Sequence, residues 1–296
     1  MKKKLLLPLV AVLLFSMSFT YARHLKIYIF TASDDIVYIK LPDVGEILVN
    51  SGPASKVVDV MPQIQDINLI SAGRVTRSVA KLMGWGYEVS NVLLTRVKST
   101  YFSGLDFMLQ NFIFNKVYGP LAKKSGFSKM DKFVKEAGAY NIEYEPYKNG
   151  DTIDVSYGNL NADVKIIMFG SDTYTVISSD LSRKVQYSLL KNSASIMYIQ
   201  FGDFTAILDI KSGALVRSRL KNNVSFKDVD MLYTNTQDFG LVSHIHPKRL
   251  IVNGFPNNEY LDKVKLTYSD AIFLKRLKFN YFKIETDGKT FKVEVK

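Results

Sequence analysis

The chain has 296 residues, 47% of them apolar, which is enough to bury a large core and excludes a disordered or low-complexity protein. It carries a formal net charge of +11, which suits anionic partners, although no run of five like charges marks a polyanion-binding tail. There is no cysteine, so disulfides and thiolate metal sites are both ruled out.

Residues 1–22 read as a secretory signal peptide. Lys2, Lys3 and Lys4 form a basic start, and Leu5 to Phe19 is an apolar stretch short of the roughly 20 residues a membrane-spanning helix needs. Thr20-Tyr21-Ala22 supplies a small-residue cleavage site. Cleavage there removes three positive charges and no negative ones, and an uncleaved anchor is the alternative. Residues 23–296 are expected to form a single domain.

Leu25 to Phe30 alternates and then turns apolar, as a strand does. Ile36 to Leu41 and Glu46 to Val49 flank the turn residues Pro42-Asp43-Val44-Gly45 and predict a hairpin. Val75 to Met83 has helical spacing before Gly84, and Val89 to Leu94 is an apolar strand. A helix at Leu105 to Phe112, a strand at Lys116 to Tyr118 and a helix at Met130 to Ala137 follow. Strands are expected at Ile142 to Tyr147, Thr152 to Val155 and Val164 to Phe169. Ile196 to Phe201 and Phe204 to Leu208 pair across Gly202-Asp203. Met231 to Tyr233, Leu250 to Val252, Phe282 to Ile284 and Phe291 to Val295 complete the strands. Asp270 to Lys278 has the spacing of a helix, and Asp287-Gly288 suits a type I′ turn. The alternation predicts an α/β or α+β fold with helices covering sheets.

Several segments match one family in serial order. Leu94 to Leu105 reads L-T-R-V-K-S-T-Y-F-S-G-L, where Thr95, Ser103, Gly104 and Leu105 keep the frame of a T-H-x-H-x-D-H-small-G-L turn. Leu41 to Pro53 is similar to T-P-D-G-K-x-I-L-I-D-T-G-P, and Gly150 to Ile153 to G-D-x-I/L. Asn192 and Ser195 fit N-x-x-S-L-V-L, Phe204 to Asp209 fits F-x-L-L-T-G-D, and Val229 to Leu232 fits V-D-V-L. The chain thus resembles the metallo-β-lactamase fold, and within it the C-terminal metallo-β-lactamase-like domain of the ComEC DNA-uptake proteins. The resemblance covers roughly residues 25–296 and implies a four-layer αββα sandwich with a site at one edge.

It also implies where a dinuclear metal site would lie. The positions held by His, His, Asp and His in the family are Arg96, Lys98, Thr100 and Tyr101 here. Asp209 matches the bridging Asp, Thr236 or Gln237 stands near the last His, and Asn50 replaces an acid. Arg stays protonated and Lys ligates only after losing its proton, so one ligand of the set survives. The expectation is a catalytically degenerate, exported protein with no metal, no cofactor and no catalytic residues. Its role would be binding or structural, with DNA or another polyanion as ligand or an envelope protein as partner. Arg96 and Lys98 are the candidate ligand-binding residues, either pairing with Asp209 or accepting a phosphate.

The alternative is a metal-dependent hydrolase, a nuclease or phosphodiesterase, rebuilt on Asp34, Asp35, Asp209, Asp238 or the pair His244 and His246. On an extended segment His244 and His246 would share one face and could share a metal, although surface histidines are the plainer reading. Asp34 and Asp35 read as turn residues, and His24 carries no expected role. Lys275, Arg276, Lys278 and Lys283 interleave with Phe273, Phe279, Tyr281 and Phe282, a pattern of nucleic-acid grooves but equally of elements that bury aromatics and expose lysines. No G-x-G-x-x-G, P-loop, G-x-S-x-G or H-E-x-x-H occurs.

Overall fold

The computed structural model describes residues 23–30, 36–42, 45–53, 60–64, 89, 91–96, 103–105, 114–120, 128–155, 163–170, 182, 184–185, 194–222, 226–254, 256–274 and 281–296. The first sheet is built from β1 (Leu25–Phe30), β2 (Val37–Leu41), β3 (Gly45–Val49), β4 (Asn91–Leu93), β5 (Lys116–Gly119), β6 (Glu143–Pro146), β14 (Tyr281–Thr286) and β15 (Phe291–Val295). Its order is β15-β14-β1-β2-β3-β4-β5-β6. The second sheet contains β7 (Thr152–Ile153), β8 (Val164–Phe169), β9 (Ile196–Phe201), β10 (Phe204–Asp209), β11 (Met231–Thr234), β12 (Arg249–Val252) and β13 (Ile272–Phe273), in the order β13-β12-β11-β10-β9-β8-β7.

The alternating side chains of these strands create three apolar layers. Leu25, Ile27 and Ile29 of β1 pack with Ile166, Ile199 and Leu208 of the facing sheet. The opposite face of the first sheet, with Tyr28, Phe30 and Tyr38, packs on Met130 and Phe133 of α1 (Ser128–Ala139) and on the helical segment at 60–64. The outer face of the second sheet, with Ile207, Leu232 and Leu250, packs on α2 (Ala214–Lys221), α3 (Phe239–Ile245) and α4 (Asn258–Thr267) through Val216, Leu220, Leu241, Val242 and Val264. Helices outside two stacked sheets give the expected four-layer αββα sandwich.

Each sheet has a parallel half, β3 to β6 in the first and β10 to β13 in the second. Loops after parallel strands gather at the strands' carboxyl ends, where ligand sites of α/β sheets form. Contacts across the sandwich, from the loop after β4 to the residue before β9 and to the loop after β10, bring the two sheets together at one edge. Ser195 donates its N–H to the Thr95 carbonyl at 2.8 Å, and Arg96 donates to the Lys211 carbonyl.

Two local expectations fail. Asp270 to Lys278 is not a helix over its described part: Ile272–Phe273 forms β13, paired in parallel with β12. Apolar residues spaced among Lys275, Arg276 and Lys278 mimic a helical stripe, but the open edge of β12 recruits the segment as a strand. The helix lies earlier, at α4, where the Asn257 side chain caps the Tyr260 N–H at 2.8 Å. The turn after β14 is also longer than a two-residue type I′ connection. Residues 287–290 separate the strands, with Gly288 at φ 93° and the Asp287 carboxylate accepting from the Lys289 and Thr290 N–H groups. The expected helix at Val75 to Met83, all but the first residue of that at Leu105 to Phe112, and residues 1–22 lie outside the described residues.

Candidate functional site

On the side of the first sheet the edge is built from neutral groups. Asn50 follows β3 with a left-handed φ of 55°, a conformation Asn tolerates better than most residues. It is fully buried and faces Thr95 at the end of β4. Its Oδ1 accepts from the Thr95 N–H at 2.9 Å, and its Nδ2 lies 3.1 Å from the Thr95 hydroxyl. The Tyr147 hydroxyl sits 2.7 Å from the Leu94 carbonyl and 3.0 Å from the Ser195 hydroxyl. With one proton it donates to the carbonyl and accepts from Ser195. Burial pushes the Tyr147 pKa up, so the proton stays. The turn at 103–104 is tied to the same loop, since Gly104 donates to the Gly52 carbonyl at 3.1 Å.

The second sheet supplies charge. Asp209 ends β10 and is completely buried. Parallel register places Thr234, the last residue of β11, directly beside it. Asp209 Oδ2 accepts from the hydroxyls of Thr234 at 2.9 Å and Thr236 at 2.8 Å, and Oδ1 accepts from the Ser212 N–H at 2.9 Å. Thr236 donates its own N–H to the Thr234 oxygen at 3.1 Å. A buried carboxylate is costly unless its oxygens are satisfied, and here local donors satisfy both.

Lys211, at φ 57°, and Ser212 have each backbone polar group engaged. Their N–H groups go to Asn235 Oδ1 at 2.5 Å and to Asp209. Their carbonyls accept from Arg96 and Arg217. Arg217 also binds Asp238 at 2.9 Å, and Lys221 reaches the same carboxylate at 2.9 Å. Asp238 caps α3 by accepting from the Leu241 N–H at 2.9 Å. Burial opposes its charge, but the bonds from Lys221, Leu241 and Arg217 outweigh this and hold its pKa below the ordinary carboxylate value.

Of the predicted site positions, Arg96, Asp209 and Thr236 are therefore brought to one edge, while Lys98, Thr100 and Tyr101 lie outside the described residues. Gln237 turns away from Asp209 to accept the Asn257 N–H at 3.1 Å. The expected Arg96–Asp209 pair is not formed. No salt bridge reaches Asp209 among the described residues, because the three local donors occupy it and Arg96 takes the Lys211 carbonyl. Thr234, Ser212, Asn235 and Arg217 were not singled out from sequence. Thr234 gains its place beside Asp209 from the parallel register of β11 against β10, which carries no local sequence signal.

Of the residues considered for a rebuilt enzyme, Asp209 and Asp238 lie at this edge, while His244 and His246 stand at the far end of α3. Asp34 and Asp35 lie outside the described residues. His244 stands in the last turn of α3, and His246 is its left-handed C-cap at φ 52°, so the pair does not share one face of a strand. His246 turns to Asp228 at 3.0 Å on the surface. His24 binds Glu285 at 2.8 Å. Lys283 contacts Glu285 and Glu294, while its neighbour Phe282 is buried, so the described part of that basic and aromatic stretch is a paired surface over a core.

Among solved structures, the metallo-β-lactamase fold protein YhfI from Bacillus subtilis matches with a TM-score of 0.50 and 11% identity, over 89% of this chain and all of that one. The fold is that of the metallo-β-lactamases. Zn2+-bound PqqB from Methylobacterium extorquens (TM-score 0.49, 8% identity, 84% of this chain and 97% of that one) and unliganded yeast PDE1 (TM-score 0.49, 8% identity, 85% and 96%) are further matches. No family model matches the sequence, and no curated protein does. The fold name implies a metal, and the described residues do not fit one. They contain no group of three or more His, Asp or Glu able to hold an ion, and the Asp209 oxygens are taken by protein donors. No helix among the described residues is long and apolar enough to cross a membrane.

Proposed function

We propose that this chain is an exported, catalytically degenerate metallo-β-lactamase-fold protein that binds DNA or another polyanion at the strand-end edge. The observation that carries the reading is the state of Asp209. A bridging metal ligand offers its oxygens to the ion, and this carboxylate instead takes three protein donors, Ser212 on Oδ1 and Thr234 and Thr236 on Oδ2, which compete with any cation there. Arg96 at the same time spans the edge from the first sheet to the Lys211 carbonyl of the second, a cross-link a metal would otherwise make. The result is an edge held in shape by protein bonds and carrying Arg96, Lys211, Arg217 and Lys221 against Asp209 and Asp238.

That excess of cations favours a polyanion over a neutral partner. The sequence resemblance to the ComEC-type domain points toward DNA. The basic, apolar start of the chain supports export.

Metal content after dialysis against trace zinc and manganese tests the reading, alongside oligonucleotide binding measured across a salt series. The expected result is near-zero metal per chain, with DNA affinity falling steeply as salt rises because bound counterions are released. Stoichiometric metal, with metal-dependent cleavage lost in Asp209→Ala, would replace it with a hydrolase.

A further inference from the structure

Three helices begin at the strand-end edge, and their first turns are treated differently. The opening N–H groups of a helix lack intrahelical acceptors. In α3 the Asp238 carboxylate accepts one of them, and in α4 the Asn257 side chain does. In α2 the cap position is Gly213, which has no side chain to offer. An uncapped helix start favours an anion, both by its free donors and by the helix dipole.

A second observation at the same place points to a ligand. Ser212, immediately before the cap, is 5% exposed, and its hydroxyl is buried with no hydrogen-bond partner. Asn235, whose Oδ1 holds the Lys211 N–H, has its Nδ2 buried and likewise unpartnered. Buried polar atoms are nearly always satisfied, so each of these two donors calls for an acceptor that the protein does not supply. The surrounding charge agrees. Arg96 and Arg217 are fixed on the carbonyls of Lys211 and Ser212, the two residues leading into the cap. The nearby acids are Asp209 and Asp238. The first is filled by hydroxyl and amide donors, and the second is paired with Arg217 and Lys221.

We infer that the foot of α2 is an oxyanion site that takes a phosphate group. The first turn of α2, left without a side-chain cap, offers donors for it, the Ser212 hydroxyl and Asn235 amide supply further hydrogen bonds, and Arg96 supplies charge. This rests on the polyanion reading above and names the point at which such a ligand is gripped.

The test is calorimetric titration of the full chain with inorganic phosphate, and separately with a short oligonucleotide, in wild type, Ser212→Ala and Gly213→Asp. The Gly213→Asp carboxylate caps the helix itself and competes for the same donors, so the variant stays folded with an equal or higher melting temperature. Phosphate affinity is expected to fall at least about tenfold in Gly213→Asp, and by a smaller factor in Ser212→Ala. No phosphate binding to wild type, or equal binding to Gly213→Asp, overturns the inference. Oligonucleotide binding that is unchanged in Gly213→Asp while phosphate binds nowhere leaves the polyanion reading standing and sinks this site. Phosphate binding that is lost in Gly213→Asp, without any oligonucleotide binding, does the reverse and makes a small phosphate compound the ligand.

Discussion

At the ends of β3 and β4 the buried polar groups are neutral: Asn50 faces Thr95, and Tyr147 bridges Leu94 and Ser195. At the ends of β10 and β11 they are charged: Asp209 gathers three donors, and Asp238 gathers Arg217, Lys221 and the start of α3. The neutral half needs only pairwise matching, since an amide and a hydroxyl cost little to bury once bonded. The charged half needs a surplus of donors around each carboxylate. One edge thus combines a passive wall with an electrostatically tensioned one, and Arg96 couples them.

The largest break in this contrast is expected from Asp209→Ala. It strips the Ser212 N–H and two threonine hydroxyls of their acceptor, and should cost about 3–5 kcal/mol in urea unfolding. Asp209→Asn should cost much less, because threonine hydroxyls can turn to accept from an amide. A smaller effect is expected from Arg96→Ala, which removes one of the ties between the halves and leaves that of Ser195 to Thr95 in place. A loss of about 1–3 kcal/mol should appear as a lower melting temperature, only partly restored by Arg96→Lys, whose ammonium lacks the planar fork. An unchanged melting temperature would mean that the remaining bonds of Ser195 hold the two halves without Arg96.

The smallest effect is a pH dependence confined to the charged half. The folded pKa of Asp238 lies below its unfolded value, so its contribution is present above about pH 3.8. It is lost as pH falls through the lower folded value. Asp238→Asn should flatten that part of an acid unfolding curve, and an identical curve for wild type and variant would remove Asp238 from the account.

The strands were legible because burial on one or both faces leaves its period in the sequence. β1, β8, β9 and β15 carry the expected bounds. The helices α2, α3 and α4 were not legible. Each is ten residues or fewer, and two of them follow the N-caps Gly213 and Asp238, residues that read equally well as turns. At the site, Asp209 and Thr236 were reachable only through the resemblance to a known turn pattern. Thr234 and Asn235 were hidden because their importance comes from the register of β11 against β10, which no local window encodes. Arg96 was visible as a residue, but its partner was not. A backbone carbonyl at Lys211 leaves no trace in side-chain identity.

One feature of the first sheet bears on how the protein reaches this state. β1 is flanked by β2 on one side and by β14 on the other, with Leu25 opposite Thr286 and Phe30 opposite Tyr281. The β1–β2 hairpin joins neighbours in sequence and can form early, but the other flank of β1 stays open until the distant β14 joins it. Both faces of that strand are apolar in the finished molecule, with Ile27 and Ile29 on one and Tyr28 and Phe30 on the other. The interval before closure is therefore a window in which β1 offers a sticky, unpaired edge to any other strand. The pairing of β1 with β14 joins segments far apart in sequence, so it is a slow contact to close, and a chain cut short before residue 281 is expected to aggregate rather than reach a smaller folded form.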